Sequence, residues 1–554
     1  MKSNSRLLML MIVVGLGWSG GAQAQSPVNF YWTNTASGVQ GWNAANWTNS
    51  AGAGVTPANG GDPSYILNFS RDATYTASND FSTAPFVLNG VSVKGMSVAR
   101  PLTLNGDGLL LTNNGSLLPT ITNGSGGSTA VYFDMPLTLA TNTIVLAANN
   151  CSISMRAAVG GAGGLIVSNE SSGIMALNVN NTFAGGIDVS GGILRIKTAE
   201  SLGSGILTLR AGTVLHINPA AGITVTNDIV VAGVATVNNE YSGGENYTGR
   251  LSGNAMLSIT NLGINVGTNT LMDFGGALEV NLGAASATLR LYHAGLYGAT
   301  NATLSLKSGT LTNTAVASIN LGALTGTTNG YINLGTNTLT VGYLGQTNTF
   351  AGTILGGAKL VKVGAGMLVL SGVNTFTNTT TVSNGTLSIT GTLSNSPITV
   401  VNGGTLAGTG LVVNVVANAG HMAPGVGTGV GGIGTLVASN VTWNGESAAG
   451  SSWIWDADPN SAAVDRLFIN GNFSKGTGSA FCFDFRGGAL QKGTTYTLVE
   501  WTGTSGFAGG DFSTTNVTLP GTLGSRANFL IESGVTNRLK MQVVSPTGTL
   551  LSVW

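Results

Sequence analysis

The sequence has 554 residues, of which 8% are charged, and its 21 lysines and arginines balance its 21 aspartates and glutamates. Ordinary soluble domains are about 25% charged, so this chain must be kept in solution by hydroxyl, amide and backbone groups. It has no basic patch and no run of like charge, which gives no support to nucleic-acid binding or to electrostatic attachment to a membrane.

Residues 1–24 have the pattern of an export signal. Lys2 and Arg6 come first, the apolar run Leu7–Gly17 follows, and Ala22-Gln23-Ala24 has the form of a cleavage site. We predict a signal peptide over residues 1–24 and a mature chain that is extracellular or on the outer cell surface. The apolar run is shorter than the roughly 20 residues that cross a bilayer, and later apolar segments are interrupted by Gly, Asn or Thr, so no transmembrane span is predicted.

Residues 25–100 are set apart by large aromatic residues, among them Trp32, Trp42 and Trp47. No tryptophan occurs between Trp47 and Trp443. Large rings are difficult to repeat in a narrow stacked core, but they can seal its end. We interpret this segment as an N-terminal cap. The alternative is a platform on which sugar rings stack against the aromatic faces.

Residues 101–441 consist of short apolar-alternating runs separated by Gly, Asn or Ser, which is typical of short strands and tight turns. The run NTFTNTTTVSNGTLSI (Asn374–Ile389) aligns without a gap on NTFAGGIDVSGGILRI (Asn181–Ile196), and a third copy, NTFAGTI, begins at Asn348. A second pair of similar runs, called the second echo below, is INVGTNTL, which begins at Ile264, and INLGTNTL, which begins at Ile332. The step from Asn348 to Asn374 and the spacing of the second echo both fit stacked coils of about 22–26 residues.

Stacking of similar coils also explains the composition. Equivalent side chains of successive coils would lie about 4.8 Å apart, so a charge in every coil would repel its own copy. Thr, Ser and Asn can instead form hydrogen-bonded ladders, and the 85 glycines can supply the positive φ that repeated corners need. We therefore predict an all-β fold, a parallel β-helix (β-solenoid) with an N-terminal cap and a C-terminal β region.

Two consecutive motifs in the body resemble a known repeat. The motif K-x-G-A-G-x-L-x-L-S-G-x-N-T-F over Lys362–Phe376, followed by T-T-V-S-N-G-T-L over Thr380–Leu387, resembles the autotransporter-associated β-strand repeat, also called the passenger-associated transport repeat. Gly403–Gly410 and Ala419–Gly425 resemble the sequence that follows this repeat, whereas Asn378-Thr379 departs from its usual Gly-Gly. The resemblance implies a secreted parallel β-helix, and it implies no catalytic residues.

Two loops interrupt the regular pattern of short strands and turns in residues 101–441, the body of the predicted solenoid. Val237–Arg250 contains Tyr241 and Tyr247, and Arg290–Gly298 contains His293. Loops are the usual place for function on a repeat scaffold. We interpret both as ordinary surface loops, and the alternative is that their aromatic and charged residues contact a glycan.

In residues 442–554 the tryptophans return, at Trp443, Trp453, Trp455 and Trp501. We interpret this region as further β-strands that close the solenoid. A translocator barrel needs many strands of about 10 residues that alternate apolar and polar side chains. This region does not show that pattern, so we expect no such barrel in the chain.

Residues that could carry chemistry are sparse. The tightest acidic group, Asp456, Asp458 and Asp465, lacks the glycine and the closing glutamate of an EF-hand, and the three histidines have no partner at a metal-ligand spacing. Cys151 and Cys482 would lie many coils apart, too far for a disulfide in a linear stack, so both are expected to be reduced. No catalytic, metal-binding or cofactor-binding residue is predicted.

The sequence thus predicts a secreted or cell-surface β-helical protein with a structural or adhesive role, which presents a rigid extended surface and is not an enzyme. Its partners would be extracellular polysaccharides or other cell-surface components. One alternative is a carbohydrate-active β-helix enzyme, a polysaccharide lyase or hydrolase, which requires acids and a basic residue from neighbouring coils to converge. Another is a glycan-binding module that uses Trp32, Trp42, Trp47, Tyr241 and Tyr247.

Overall fold

The computed structural model describes residues 23–34, 36, 38–96, 100–240, 245–261, 264–266, 273–283, 287–291, 299–313, 318–425, 432–445, 452–458, 461, 463–512, 517, 519 and 526–544. Most of the predicted signal peptide therefore lies outside the described residues, as do Tyr241 and His293. Within them the fold is all-β, with two short 3-10 turns at Ala299–Asn301 and Gly509–Asp511. None of the described segments is a helix of a length and hydropathy that would cross a membrane.

Each turn of the chain places strands on three faces, and strands of successive turns pair in parallel. The first face runs from an antiparallel edge strand, Trp47–Thr48, through Val28–Trp32, Tyr65–Phe69, Gly90–Val93, Thr120–Asn123, Thr143–Ala147, Leu165–Ser168, Ile187–Gly191, Leu207–Leu209, Ile229–Val231, Leu251–Gly253 and Asp273–Phe274. Beyond the 3-10 turn at 299–301 it continues as Ile319–Leu321, Thr338–Val341, Lys359–Lys362, Thr380–Val382, Ile398–Val401, Val415–Asn418, Val441–Asn444 and Phe473–Lys475.

The second face is the longest sheet. It consists of Val39–Gly41, Tyr75–Asn79, Leu102–Gly106, Ala130–Asp134, Ser152–Met155, Ile174–Leu177, Ile193–Ile196, Val214–Ile217, Ala235–Asn239, Leu257–Asn261, Ala277–Asn281, Thr303–Asn313, Ala323–Gly326, Asn348–Phe350, Met367–Leu370, Gly385–Ile389, Gly404–Gly408 and His421–Pro424. The strands Ser452–Ala457 and Cys482–Gly487 pair with each other at its C-terminal end.

The third face begins with Phe86–Leu88, Leu109–Leu111, Leu137–Leu139 and Val159–Gly160. It resumes with Thr224–Val225, Glu245–Tyr247, Ile264–Val266, Thr288–Leu291, the second half of Thr303–Asn313, Gly330–Asn333, Thr353–Leu355, Val373–Asn374, Thr392–Leu393, Leu411–Val412, Thr435–Ala438, Arg466–Ile469 and Thr495–Trp501. Two antiparallel strands, Asn537–Val544 and Arg526–Glu532, complete it. The predicted all-β parallel solenoid is confirmed.

Strand register fixes the length of a coil. Thr120 pairs with Ile144, and Ile144 pairs with Ile166. Near the C-terminal end of the body, Ile398 pairs with Val415, which is a clearly shorter step along the chain. The coils between Thr380 and Val415 are therefore shorter than the length predicted from the repeats, because the connections between their strands are shorter, and the next coil, from Val415 to Val441, is long again.

The second echo, INxGTNTL, spans three coils. Asn265 pairs with Arg290, Arg290 pairs with Thr312, and Thr312 pairs with Asn333. The two copies therefore begin at the same place on the third face, three turns apart.

The copies of the Asn-Thr-Phe (NTF) repeat that begin at Asn181 and Asn374 occupy equivalent places in the stack, but the third copy, which begins at Asn348, does not. Ile187–Gly191 and Thr380–Val382 both lie on the first face, and the strand that follows each lies on the second. The third copy starts with Asn348–Phe350, which lies on the second face and pairs with residues of Met367–Leu370. The expectation that Asn348 and Asn374 occupy equivalent places in successive coils is therefore wrong, since the third copy is out of phase with the stack.

Alternate residues of the strands point into one apolar core that extends from Phe30 to Val543. Leu102 and Leu104 are completely buried, for example, while Thr103 between them is partly exposed. Burial of each such leucine is worth about 1.5–3 kcal/mol, so the stacked core holds the fold together. Both cysteines are buried, and neither forms a disulfide bond, as predicted.

Aromatic rings fill both ends of this core. At the C-terminal end Trp443 stacks on Trp453 with ring centroids 3.6 Å apart. Parallel stacking extends beyond residues 101–441 in both directions, since it begins at Val28 and continues to Trp501. The end regions are thus continuous with the solenoid.

Candidate functional site

The three tryptophans that the glycan-binding alternative would use lie inside the core. Trp32, Trp42 and Trp47 are 1%, 0% and 1% exposed. Trp32 meets Trp47 edge to face with ring centroids 4.9 Å apart, and Trp42 meets Trp47 in the same way at 5.9 Å. The indole Nε1 of Trp47 donates a hydrogen bond of 3.0 Å to the carbonyl of Trp42. The rings cover one another, as rings that seal a core would, and present no free face to a sugar.

Tyr247 is also largely buried. It lies on the third face, where it pairs with Val225 of one neighbouring coil and Val266 of the other. Tyr241 lies outside the described residues. The structure therefore does not bring Tyr247 and the three tryptophans together into one site.

An open groove of about 390 Å³ crosses the N-terminal part of the first face. Asn68, Ser92 and Thr122 occupy equivalent positions on three successive coils and line it. The Asn68 amide donates a hydrogen bond of 3.1 Å to Oδ1 of Asn29, which extends this polar row by one coil. The groove thus offers amide and hydroxyl groups at the spacing of the coils, beside the charged side chains of Lys94 and Glu170 and the apolar side chain of Leu146.

A ladder of ionisable side chains crosses the second face. Arg195 and His216 are paired residues of adjacent strands, and Glu240 follows the next strand. Arg195 Nε donates a hydrogen bond of 3.2 Å to Nδ1 of His216, and His216 Nε2 is 2.8 Å from Oε1 of Glu240. Nδ1 of the imidazole thus faces the guanidinium, and Nε2 faces the carboxylate.

The carboxylate of Glu240 is the exposed end of this ladder. Its partial burial raises its pKa, but a hydrogen bond from Asn218 and the nearby charges of His216 and Arg195 more than offset that effect, so the pKa lies below its usual range. The ladder therefore holds an ionised carboxylate at the surface beside a buried imidazole. The sequence alone could not indicate this, because the three residues come together only once the coil length is known.

The clustered aspartates are mostly buried near the C-terminal end. The Asp465 carboxylate accepts hydrogen bonds from the backbone N–H groups of Gly434 and Asp456, at 2.9 and 2.8 Å. Burial raises the pKa of Asp465 to about 7, although these hydrogen bonds lower it. Asp458 accepts a hydrogen bond of 2.7 Å from the Ser461 hydroxyl. In the part of the chain that the structure describes, no group of three or more His, Cys, Asp and Glu side chains could hold a metal ion.

The ammonium of Lys362 is buried at a corner of the repeat. Its Nζ donates hydrogen bonds to the carbonyls of Val363, Gly364 and Asn384, at 2.7, 2.8 and 3.1 Å. Burial lowers the pKa of this lysine to about 8. Asn384 belongs to the next coil, so the lysine ties successive coils together. The sequence signal for this role is a lysine at an inward position of the alternating strand Lys359–Lys362.

The family model described as Passenger-associated-transport-repeat matches two stretches of the chain, residues 171–196 and 360–389. The first stretch includes the second-face strand Ile193–Ile196, and the second includes Lys362 and the second-face strand Gly385–Ile389. Comparison with curated protein sequences gives no match.

Proposed function

Because this chain carries two passenger-associated transport repeats on a parallel β-solenoid, we propose that it is an exported, passenger-like β-helical protein with a structural or adhesive role. Residues 1–24 would direct export, and the mature chain would act outside the cell or on its outer surface. It would work by presenting a long rigid surface to extracellular polysaccharides or other surface components, and turnover of a substrate is no part of this role.

The observation that carries this proposal is the position of the matched repeats. Both stretches belong to the stack, and in each a first-face strand, Ile187–Gly191 or Thr380–Val382, is followed by a second-face strand. The repeat is therefore part of the scaffold itself, which supports a passenger-like role for the whole stack.

The pairing of opposite charges between neighbouring coils supports a role as an extended surface. At several places on the body, a Lys or Arg lies opposite an Asp or Glu of a neighbouring coil. Such pairs include Asp134–Arg156, Asp188–Arg210 and Glu279–Lys307, with N–O distances of 3.9, 2.7 and 4.0 Å. Such pairing avoids repulsion between coils and leaves a surface made mainly of hydroxyl and amide groups.

Fractionation of the producing cells tests the proposed location. A C-terminally tagged full chain should be recovered from the medium, or be removed by protease added to intact cells. The matched control lacks residues 2–24 and should remain in the cytoplasm. Recovery of the tagged full chain in the cytoplasm would overturn the proposal.

A second candidate function, a carbohydrate-active enzyme, is favoured by the ladder of Arg195, His216 and Glu240, where a basic residue and an acid from neighbouring coils meet. Purified protein would be incubated with a panel of polysaccharides, and new reducing ends and unsaturated uronates would be measured. Cleavage that is lost in Glu240→Gln and kept in Glu279→Gln, a change on the same face, would support this candidate. Absence of cleavage by the wild-type chain across the panel would dismiss it.

A further inference from the structure

A charged groove of about 580 Å³ lies at the C-terminal end of the third face. It forms where the stacking pattern changes, because Thr495–Trp501 pairs in parallel with Arg466–Ile469 on one side and antiparallel with Asn537–Val544 on the other. The regular stack ends here, so a charge at this place does not face its own copy in a following coil. The groove can therefore hold like charges that the body of the solenoid excludes.

Three of the four ionisable residues that line this groove are cations. Arg466 Nη2 lies 2.6 Å from one carboxylate oxygen of Glu500, and Arg538 Nε lies 3.0 Å from the other. The third cation, Lys540, pairs with Glu532 at 2.6 Å. Two guanidinium groups thus share a single carboxylate, and the five side chains together carry one unbalanced positive charge.

The exposure of these side chains shows which charge faces the solvent. The Glu500 side chain is 14% exposed, whereas those of Arg466 and Arg538 are 46% and 44% exposed. The carboxylate therefore lies behind the two guanidinium groups and holds them in place. Each guanidinium has N–H donors that these contacts with Glu500 do not use, and such donors suit a second carboxylate or a sulfate.

The rest of the lining suits a sugar. Thr495 and Thr497 contribute hydroxyl groups beside the cations. A further acid, Asp465, is buried behind the wall at Gly434, and both of its oxygens accept backbone hydrogen bonds, from Gly434 and from Asp456. The volume of the groove is within the usual range of ligand sites, about 300–1,000 Å³.

We propose that this groove binds an acidic saccharide. The carboxylate or sulfate of the ligand contacts the guanidinium groups of Arg466 and Arg538, and neighbouring sugar hydroxyls contact the threonines. The inference is independent of the proposed surface location, because it is tested on purified protein.

Titration calorimetry with the purified mature chain tests this site. The probes are trigalacturonate as a carboxylated saccharide, a sulfated dextran oligosaccharide, maltotriose as a neutral saccharide, and inorganic phosphate. We expect saturable binding of at least one acidic saccharide, binding that weakens as salt is raised, and no binding of maltotriose. Equal binding of maltotriose, or binding of phosphate without either acidic saccharide, would overturn the proposal.

Variants locate the binding. Arg466→Gln and Arg538→Gln should each weaken binding of the acidic saccharide by about tenfold or more, because each removes charge-assisted hydrogen bonds. The control is Arg210→Gln, which removes a similarly exposed arginine from an ion pair on the body. Lys540→Gln is a milder variant, and thermal unfolding confirms that each protein is folded. Unchanged binding in folded Arg466→Gln, Arg538→Gln and Lys540→Gln, or an equal loss in Arg210→Gln, would overturn the assignment.

Discussion

Two buried ionisable side chains bind backbone groups instead of other charges. The ammonium of Lys362 donates to three carbonyls, and the carboxylate of Asp465 accepts from two N–H groups. Each side chain thereby satisfies backbone groups that the irregular corners leave without partners in a strand. These two charged groups thus act locally, by holding nearby backbone groups in place.

Replacement of Lys362 by methionine should destabilise the protein. The three carbonyls lose their donor, and relief from burying a charge offsets this only in part, so we expect the free energy of unfolding to fall by about 2 kcal/mol. Lys359→Met, at an exposed position of the same strand, should change it by less than about 0.5 kcal/mol. Denaturant unfolding measures both. Equal effects of the two changes would contradict the role given to the buried ammonium.

Asp465 should make stability depend on pH. Its pKa is raised to about 7 in the folded chain, against about 3.9 when unfolded, so between these values the folded state holds a proton that the unfolded state has lost. The free energy of unfolding should therefore decrease as pH rises from about 4 to about 7, by at most about 1.4 kcal/mol per pH unit. Asp465→Asn should remove this slope, whereas Asp458→Asn should keep it. Parallel pH profiles of wild type and Asp465→Asn would refute the assignment.

Within a coil, a buried asparagine marks the corner of each matched repeat. Asn181 and Asn374 both accept a backbone N–H from the preceding coil, and both donate to the carbonyl two residues earlier and to a carbonyl of the next coil. The partners are Val159, Val179 and Ser201 for Asn181, and Ile354, Gly372 and Thr392 for Asn374. One amide therefore joins three coils, which explains the asparagine at the start of the two copies that occupy equivalent positions.

Asn374→Ala should lower the free energy of unfolding by about 2 kcal/mol, because the N–H of Ile354 and two carbonyls lose their partner inside the core. Asn395→Ala, an exposed asparagine of the adjoining turn, should change it by less than about 0.5 kcal/mol. Thermal unfolding of the two variants measures the difference. A loss of similar size in both would show that the corner amide has no special role.

At the scale of the element, the sequence was sufficient to predict stacked parallel strands. It was not sufficient to predict on which face of the solenoid each copy of the repeat lies. Alternating runs and the repeat at Asn374 predicted stacked parallel strands because both patterns are local. The copy at Asn348 led to a wrong prediction of equivalence with Asn374, because the same tripeptide can form a strand of the second face when the neighbouring strands differ. The ladder at Glu240 and the groove at Arg538 could not be predicted, because they depend on the register between distant coils.

At the scale of the whole molecule, each coil contacts mainly its two neighbours, so stability should be close to a sum over coils. Leu360 pairs with Leu339 of the preceding coil and with Thr380 of the next. Deletion of residues 360–379 removes one turn and brings Leu339 opposite Thr380 in register. Inward and outward side chains keep their sides after such a change.

We therefore expect the chain without residues 360–379 to fold, with unchanged β-content per residue by circular dichroism and a lowered unfolding temperature. The matched control, deletion of residues 360–369, removes about half a coil and places strands of different faces opposite one another. It should yield unfolded or aggregated protein. Folding of both deletions, or of neither, would show that the coil is not the unit of stability.

The reversal of strand direction at the two ends has a consequence for solubility. Trp47–Thr48 runs against Val28–Trp32 at one end, and Arg526–Glu532 and Asn537–Val544 run in opposite directions at the other. An open parallel edge would act as a template for the first turn of another molecule, and copies would polymerise end to end. At the C-terminal end the outermost strand, Arg526–Glu532, runs again in the direction of the coils, because two reversals cancel. At the N-terminal end the edge strand Trp47–Thr48 stays reversed and presents the wrong polarity for that addition. A mature chain without residues 25–59 should accordingly assemble into filaments visible by electron microscopy, while the intact protein stays as separate particles.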